Sequence, residues 1–175
     1  MIFITANKHK YEEVKKIIPK IKMLEMDYPE IQADTLEEVA KYAIEFLKEK
    51  VKKNFFIEDS GLFIEALKGF PGVFSSYVFK TIGNEGILKL MDGMKNRKAR
   101  FISIIAYYDE EIHTFKGECS GKISFEIRGN KGFGFDAIFI PNESKKTFGE
   151  MDIEEKNKYS HRGKAIKKFR EYLKI

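Results

Sequence analysis

The segment 55–61 (FFIEDSG) contains the residues whose types and spacing point most directly to chemistry. Residues 55–57 form a short apolar run that predicts a buried strand, and Glu58 and Asp59 follow at its C-terminal end. In open α/β sheets, ligands bind in the crevice beyond the strand C-termini. Neighbouring carboxylates repel each other unless a cation relieves them, and Mg²⁺ is commonly held by one or two carboxylates plus substrate phosphates. The segment therefore predicts an acidic turn suited to Mg²⁺, or an ordinary strand end with solvated acids.

A polar turn near the N-terminus offers a second kind of site. Residues 2–4 (IFI) predict a strand, residues 5–10 (TANKHK) predict a turn, and apolar residues at helical spacing follow. The free N–H groups and the positive dipole end of a helix N-terminus bind phosphate readily, and two lysines in the turn add charge. The glycines of a P-loop are absent. The turn therefore predicts a phosphate site without a P-loop, or a capped surface helix in which His9 is an exposed turn residue.

A glycine-rich loop, residues 128–136 (RGNKGFGFD), offers a third. Its three glycines let the backbone approach a ligand closely. Phe133 and Phe135 present faces on which a base could stack, a contact worth about 1–3 kcal/mol per base in nucleic-acid binders. Residues 137–140 predict a short strand after the loop. The same segment is also compatible with a flexible hairpin loop without function.

The C-terminal part carries three basic residues near helix starts. Asp152 is expected to cap a short helix that contains Lys156, and Ser160 to cap the last helix. His161 and Arg162 then lie in the first turn of that helix, where positive charge opposes the helix dipole. This conflict indicates an anionic or carbonyl group nearby, or a solvated basic turn.

The elements that must position these residues alternate in type along the first half of the chain. Residues 2–4 and 21–26 predict strands, and a capping-box pattern at 35–38 starts the next helix. Glu30 lies in the loop between this second strand and that helix. From there its carboxylate could reach a common site with Asp59.

The second half predicts an antiparallel pair of strands. Residues 99–108 form a long apolar run, and residues 112–127 run back alongside it. Gly117 and Gly121 interrupt the returning strand and suggest bulges or bends. Before this pair, Asn84 is expected to cap a short helix. Strand–helix units followed by a long hairpin predict a mixed α/β protein.

Composition excludes several classes of protein. The 175 residues suit one domain, residues 1–175, and no apolar run approaches the roughly 20 residues of a membrane span. The N-terminus lacks the features of a signal peptide, and a lone cysteine, Cys119, allows no intrachain disulfide, which fits the cytoplasm. No Cys/His cluster suits zinc. The net charge of +5 suits anionic partners such as nucleotides, nucleic acid or acidic membranes, without choosing among them.

Taken singly, none of these motifs decides the function, but their order and spacing carry a resemblance to a known family. Over essentially the whole chain they resemble the signatures of the inosine triphosphate pyrophosphatase family, the XTP/dITP house-cleaning enzymes. The matching segments are 5–10 (TANKHK), 58–62 (EDSGL), 69–73 (GFPGV), 132–136 (GFGFD), 147–151 (TFGEM) with 155–157 (EKN), and 160–162 (SHR).

The resemblance implies Mg²⁺-dependent hydrolysis of ITP, dITP and XTP to the monophosphate and pyrophosphate, with water attacking the α-phosphorus. It implies an α/β fold with a mixed, twisted central sheet flanked by helices, two lobes with an active-site cleft between them, and a homodimer. Asp59 is implied as proton acceptor and metal-site residue, with Glu30 and Glu58 as further metal-ligand candidates. Substrate contacts are implied for Thr5, Ala6, Asn7, Lys8, His9, Lys10 and Ser60 (triphosphate), Phe133, Gly134, Phe135 and Asp136 (base and sugar), Lys156 (phosphate), and His161 and Arg162 (base edge).

Residue chemistry agrees with this assignment. Selecting hypoxanthine or xanthine over adenine requires reading a 6-keto group as an acceptor, and Arg162 and backbone N–H groups are donors. Three positions depart from the family pattern: Ala43 stands where many bacterial members have a lysine, Ala137 replaces a proline, and Gly149 replaces an alanine. The departure at Ala43 removes the lysine through which that helix would contact the substrate.

Two other functions remain open. The related Maf-like group hydrolyses other nucleotides, but the loop 133–136 and the SHR segment argue against it. A basic nucleic-acid-binding module could stack bases on Phe133 and Phe135, but it does not explain carboxylates gathered near a phosphate ligand. The expected partner is therefore a small-molecule purine nucleoside triphosphate, with neither nucleic acid nor membrane.

Overall fold

The computed structural model describes residues 1–29 and 31–175; Glu30, a predicted metal ligand, lies outside the described residues. The strands are β1 Ile2–Ile4, β2 Lys22–Leu24, β3 Phe55–Ile64, β4 Pro71–Gly72, β5 Lys98–Tyr108, β6 Ile112–Ile123 and β7 Phe139–Pro141. The α-helices are α1 Lys8–Ile17, α2 Leu36–Lys48, α3 Ser75–Thr81, α4 Gly83–Leu90, α5 Ile153–Tyr159 and α6 His161–Leu173. Within these ranges, no helix is long and apolar enough to cross a bilayer.

One mixed sheet joins all the strands described, in the order β2-β1-β3-β5-β6-β7, with β4 added beside β3. The strand β1 runs parallel to β2 and β3, and the other pairings are antiparallel. The parallel part comes from the strand–helix units of the first half, because parallel neighbours need a crossover connection. The predicted mixed sheet flanked by helices is confirmed.

The central strand β3 corrects the prediction of an acidic turn at Glu58 and Asp59. Both carboxylates lie inside a continuous ten-residue strand that pairs with β5 along its whole length. The prediction failed because polar residues after an apolar run look like a strand end, whereas backbone bonds to β5 keep the segment extended. On its other edge β3 pairs with β1 only at Phe55 and Phe56. The carboxylates therefore follow the point where β1 stops.

Helices cover the sheet on both faces, and each face has its own core. Residues Phe55 and Ile57 of β3 pack in the cluster that contains α2, and Phe56 packs in the cluster with α1 and α6. Because successive side chains of a strand point to opposite faces, Glu58 continues the α6 face and Asp59 the α2 face. The two carboxylates are adjacent in sequence but point to opposite faces of the sheet.

The β5–β6 hairpin corrects the prediction of bulges at Gly117 and Gly121. The pairing register runs uninterrupted from Lys98–Lys122 to Tyr108–Ile112. A Cβ at Gly117 would instead collide with two backbone atoms of α6, the carbonyl oxygen of His161 and the nitrogen of Ala165. Glycine is therefore required here by the close approach of a helix, not by a bend.

Replacing Gly117 by alanine is expected to lower the free energy of unfolding by about 1–3 kcal/mol, because α6 must shift to accommodate one methyl group. Urea unfolding of the parent and the variant measures this difference. Ser120→Ala, at an exposed position of the same strand, is the control and should stay within about 0.5 kcal/mol. Equal stabilities for the parent and Gly117→Ala would contradict the packing of α6 on this glycine.

Two smaller predictions near the glycine-rich loop are corrected by the structure, the first of them only in part. The expected strand 137–140 is preceded by a 3₁₀-helix, Gly134–Ile138, so β7 begins only at Phe139. Asn84 does not cap α4; it lies in the first turn, and its Nδ2 donates to Gly134 O at 3.3 Å. Its side chain thus ties α4 to the loop, a long-range contact that local capping rules do not detect.

Candidate active site

A cleft of about 770 Å³ lies beside the part of β3 that extends beyond the end of β1. Most of the residues that the sequence singled out line it. The lining consists of residues 5–10, 26–28, 58–60, 75–76, 79–80, 101, 133–136 and 161–162. Of the predicted site residues, the structure thus brings together all except Glu30, which is not described, and Lys156, which lies behind the cleft.

The β1–α1 turn forms one wall of the cleft. Asn7 caps α1 by accepting the N–H of Lys10 at 3.1 Å, and its own N–H donates to Thr5 Oγ1 at 3.1 Å. The first N–H groups of a helix have no intrahelical acceptor. The first turn of α1 contains no acidic residue. The turn therefore directs the positive end of a helix dipole towards the cleft.

Glu58, in the buried floor of the cleft, is surrounded by donors. Its carboxylate lies 2.9 Å from Lys10 Nζ and 3.1 Å from an Arg162 nitrogen, and the Ser103 hydroxyl donates to it at 2.6 Å. Burial alone would raise the pKa of Glu58, but Arg162 and Lys10 outweigh it, so the pKa lies well below its usual range. Glu58 is therefore an anion that anchors two cations of the site.

Asp59 occupies the neighbouring position on the opposite face of β3. Its carboxylate is half-buried, lines the cleft, and accepts the N–H of Ser60 at 2.9 Å. Among residues 1–29 and 31–175, no group of three His, Cys, Asp or Glu side chains forms a ready metal site. Mg²⁺ needs only one or two carboxylates when phosphates supply the remaining oxygens. Asp59 fits such a site, and Glu58 contributes only if it exchanges its present partners.

A buried ion-pair network lies behind the cleft and centres on Glu13. One Glu13 oxygen contacts Lys156 Nζ at 2.6 Å, and the other contacts Arg162 Nη1 at 2.5 Å. Lys156 Nζ also contacts Asp136 at 2.6 Å, and Arg162 Nη2 reaches Glu58 at 3.1 Å. The positive charge of Arg162 at the start of α6 is thus balanced by the carboxylates of Glu13 and Glu58. The network links α1, α5, α6 and β3 to the aromatic loop, which is the segment 133–136 of the glycine-rich loop.

Sequence reasoning missed Glu13. It is only 2 % exposed although it lies in a short helix with a largely polar surface. The available signal was its position between Lys10 and Ile17 on one side of α1, next to Val14 on the apolar face. A carboxylate at the border of a buried helical face indicates a buried cation, but the sequence alone does not say which one.

The aromatic loop closes the far end of the cleft. The Asp136 carboxylate accepts the N–H of Phe133 at 2.9 Å and fixes the loop against Lys156. The positive φ of 59° at Gly134 is a conformation that glycine adopts without strain. Phe135 meets Phe79 of α3 edge-on, with ring centroids 5.3 Å apart. The rings are therefore held by buried charges on one side and by α3 on the other.

Helix α3 forms a wall that none of the sequence motifs indicated. Phe79 and Lys80 line the cleft, and the Ser75 hydroxyl accepts the N–H of Leu62 at 2.8 Å. In contrast, no described residue of α2 lines the cleft, and Ala43 is fully buried in the core. This chain thus has alanine where many bacterial members of the family have a lysine in α2, and it has a lysine, Lys80, on the wall formed by α3.

His161 is buried at the back of the cleft, and its ring stacks on Phe101 with centroids 4.5 Å apart. Within the described part of the chain, its Nδ1 and the Nε of Arg162 are buried without a hydrogen-bond partner. Burial, reinforced by the charge of Arg162, lowers the pKa of His161 well below its usual range. The imidazole is therefore neutral in the folded protein at neutral pH.

This pKa shift predicts an acid-sensitive component of stability. Below about pH 6.5 the imidazole of His161 is protonated in the unfolded chain but stays neutral in the folded chain. The free energy of unfolding therefore falls as the pH falls. The slope approaches about 1.4 kcal/mol per pH unit between about pH 6.5 and 5. His161→Phe keeps a ring on Phe101 and removes the titrating group. Urea unfolding across this range should show a smaller slope for the variant; equal slopes would contradict a neutral buried His161.

Fold and cleft together define an α/β protein in which a helix N-terminus, the loop with Phe133 and Phe135, and carboxylates of the central strand line one cleft. Residues 1–172 match the sequence model of the Ham1 family, and the chain belongs to that family.

Individual relatives extend this result. The chain is 56% identical over 178 residues to a dITP/XTP pyrophosphatase of Thermococcus kodakarensis, covering 99% of this chain and 97% of the relative. It is also 56% identical over 180 residues to one of Pyrococcus horikoshii, covering 100% and 97%. Among solved structures, the Staphylococcus aureus Ham1 protein superposes with a TM-score of 0.85 at 31% identity, covering 99% of this chain and 97% of that one. A HAM1 protein from Coxiella burnetii superposes with a TM-score of 0.87 at 29% identity, with the same coverage.

Proposed function

We propose that this chain hydrolyses non-standard purine nucleoside triphosphates (ITP, dITP and XTP) to the monophosphate and pyrophosphate, which removes them from the nucleotide pool. The observation that carries the proposal is the cleft, where a helix N-terminus, Asp59 and an aromatic loop surround one volume of about 770 Å³. Relatives named dITP/XTP pyrophosphatase, which align over the full length of the chain, support the same substrate class.

Two parts of the cleft suit the triphosphate and the nucleoside of such a substrate. The turn 5–10 and Ser60 offer hydroxyl, ammonium and backbone N–H donors to the triphosphate. The loop 133–136 offers rings and backbone to the base and sugar. Lys156 supports the site indirectly through its contact with Asp136, and direct contact with a phosphate stays a prediction because its ammonium is buried between two carboxylates.

Magnesium is the proposed metal. Asp59, which lines the cleft, is the proposed ligand, with Glu30 as the predicted second ligand, and an all-oxygen donor set is the kind that Mg²⁺ prefers. When bound, the ion supplies charge neutralisation and orientation of the phosphate oxygens. Asp59 is also the proposed acceptor of a proton from the water that attacks the α-phosphorus.

The base edge is proposed to be read by α6 together with backbone N–H groups. Arg162 Nη1 and Nη2 are held by Glu13, Glu58 and Ser60. These partners fix the guanidinium in one orientation, so that it presents a donor to a 6-keto group and meets the 6-amino group of adenine unfavourably.

Pyrophosphate release in the presence of Mg²⁺, measured across ITP, dITP, XTP, GTP, ATP and UTP with and without EDTA, tests the proposal. We expect EDTA-sensitive release that favours ITP and XTP over ATP by about tenfold or more, a gap of about 1.4 kcal/mol. Preference for UTP would favour a Maf-like enzyme. Absence of release together with salt-sensitive binding to polynucleotide would favour a nucleic-acid-binding module.

We further propose that residues 1–175 act as one cytoplasmic domain that forms a homodimer. The side chains of Phe70, Phe74 and Tyr77 are 39%, 45% and 70% exposed, and a neighbouring apolar group of this kind suits a protein interface. Light scattering of the parent and of Tyr77→Glu tests this. A dimeric mass that becomes monomeric in the variant supports the interface; an unchanged dimer places it elsewhere, and a monomeric parent rejects it.

A further inference from the structure

His9 is the one ring of the β1–α1 turn, and it reaches across the cleft to the aromatic loop. Its imidazole stacks on Phe133 with centroids 5.3 Å apart and planes 17° from parallel. Both residues line the cleft. The stack thus joins the turn proposed for the phosphates to the loop proposed for the base.

The geometry of this stack leaves no room for a third ring. Carbon atoms in contact are about 3.5 Å apart, so a base inserted between two rings would need roughly 7 Å between them. The present spacing is that of two rings in direct offset contact. A purine can reach the cleft-facing surface of Phe133 only if the imidazole leaves.

Among the described groups near the Phe133 ring, His9 is the one that is placed to move. Lys156 Nζ and Arg162 Cζ lie 5.0 and 5.4 Å from the ring centroid, but both side chains are buried and held by carboxylates. His9 is exposed, and in the described part of the chain no hydrogen bond or ion pair holds its imidazole. Rotation about its side-chain torsions costs little beyond the stacking contact itself.

We propose that His9 is a gating residue that occupies the base position on Phe133 in the empty cleft and is displaced when the base of the substrate stacks there. The inference rests on the proposed function and adds a residue that regulates entry of the base. His9 therefore weakens the binding of every ligand that carries a base, because the protein must give up its own stack first. Ligands without a base bind the phosphate turn without this cost.

The test uses two probes, inosine monophosphate and inorganic triphosphate, titrated calorimetrically against the parent and His9→Ala in the same magnesium buffer. We expect His9→Ala to bind inosine monophosphate about two- to tenfold more tightly, the range of one aromatic contact, and inorganic triphosphate no more tightly than the parent does. His9→Phe keeps a ring on Phe133 and should not show the tightening. His113→Ala removes a histidine outside the cleft and should match the parent.

A second readout follows the displacement itself. The chain has three histidines, so the proton NMR signal of His9 can be assigned by its loss in His9→Ala. In the free protein it should be shifted by the ring current of Phe133, and inosine monophosphate should move it towards the value of an unstacked histidine, while inorganic triphosphate should not.

Other results overturn the gate. Weaker binding of inosine monophosphate by His9→Ala would mean that the imidazole stacks on the base. An equal change for both probes would mean a phosphate contact or a structural effect, and unchanged affinities would mean that the stack costs nothing. If the parent binds no inosine monophosphate and releases no pyrophosphate from ITP, the proposed function fails and the gate with it. A parent that does both, with a His9→Ala variant that behaves identically, refutes the gate alone.

Discussion

Replacing Asp59 by asparagine is expected to reduce turnover of ITP by about 10²–10⁴-fold, the range for loss of a general base. Asparagine keeps the shape of the side chain, and its amide oxygen can still accept the N–H of Ser60, so the strand β3 stays intact. What is lost is the negative charge on the cleft wall. Pyrophosphate release and urea unfolding, measured side by side, separate lost chemistry from lost fold.

Asp92→Asn is the matched control, because it removes an exposed carboxylate after α4, outside the cleft lining. It should keep the parent rate. A magnesium titration of Asp59→Asn then distinguishes the two proposed roles: rescue at high Mg²⁺ indicates that Asp59 mainly holds the metal, and a low rate at every concentration indicates that it accepts the proton. Parent-like turnover at ordinary Mg²⁺ would refute both roles.

Replacing Arg162 by methionine is expected to lower the free energy of unfolding by about 3–5 kcal/mol, the cost of removing one partner from a buried ion pair. Arg162 is 1% exposed, and its loss leaves Glu13 and Glu58 with fewer cations in a buried site. Methionine fills a similar volume, so the loss reports charge rather than a cavity. Urea unfolding measures it.

Two further variants make the Arg162 experiment specific. Arg170→Met changes an arginine in the last turn of the same helix and should stay within about 0.5 kcal/mol of the parent. Glu13→Gln combined with Arg162→Met should cost less than the sum of the single changes, because the two side chains contact each other. Strict additivity would contradict the network, and a small effect of Arg162→Met would show that the guanidinium is not essential to the core.

Local rules predicted the helix starts around the site correctly. Thr35, Asp152 and Ser160 each accept a backbone N–H at the beginning of a helix, as their types and positions indicated. The order of the motifs was enough to indicate the family and a mixed α/β fold. These features depend on residues a few positions apart, or on a linear pattern, and both are readable without coordinates.

The course of β3 and the location of Lys156 were not readable in this way. Glu58 and Asp59 look like a turn until β5 is seen to pair with the whole of β3. The family resemblance implies a phosphate contact for Lys156, but only the structure shows that Glu13 and Asp136, distant in sequence, enclose its ammonium group. Each outcome depends on which distant segment supplies a backbone partner or a counter-charge.

The sequence by itself determined the kinds of groups at the site, the caps that start its helices and the family to which the chain belongs, because those depend on residue type and on short-range order. Only the tertiary structure decided which groups face the cleft and which are buried as ion pairs, that α3 forms a wall of the cleft, and that His9 stacks on Phe133. The physical reason is that pairing across a sheet and burial of charge are set by contacts between segments that the chain brings together only when it folds.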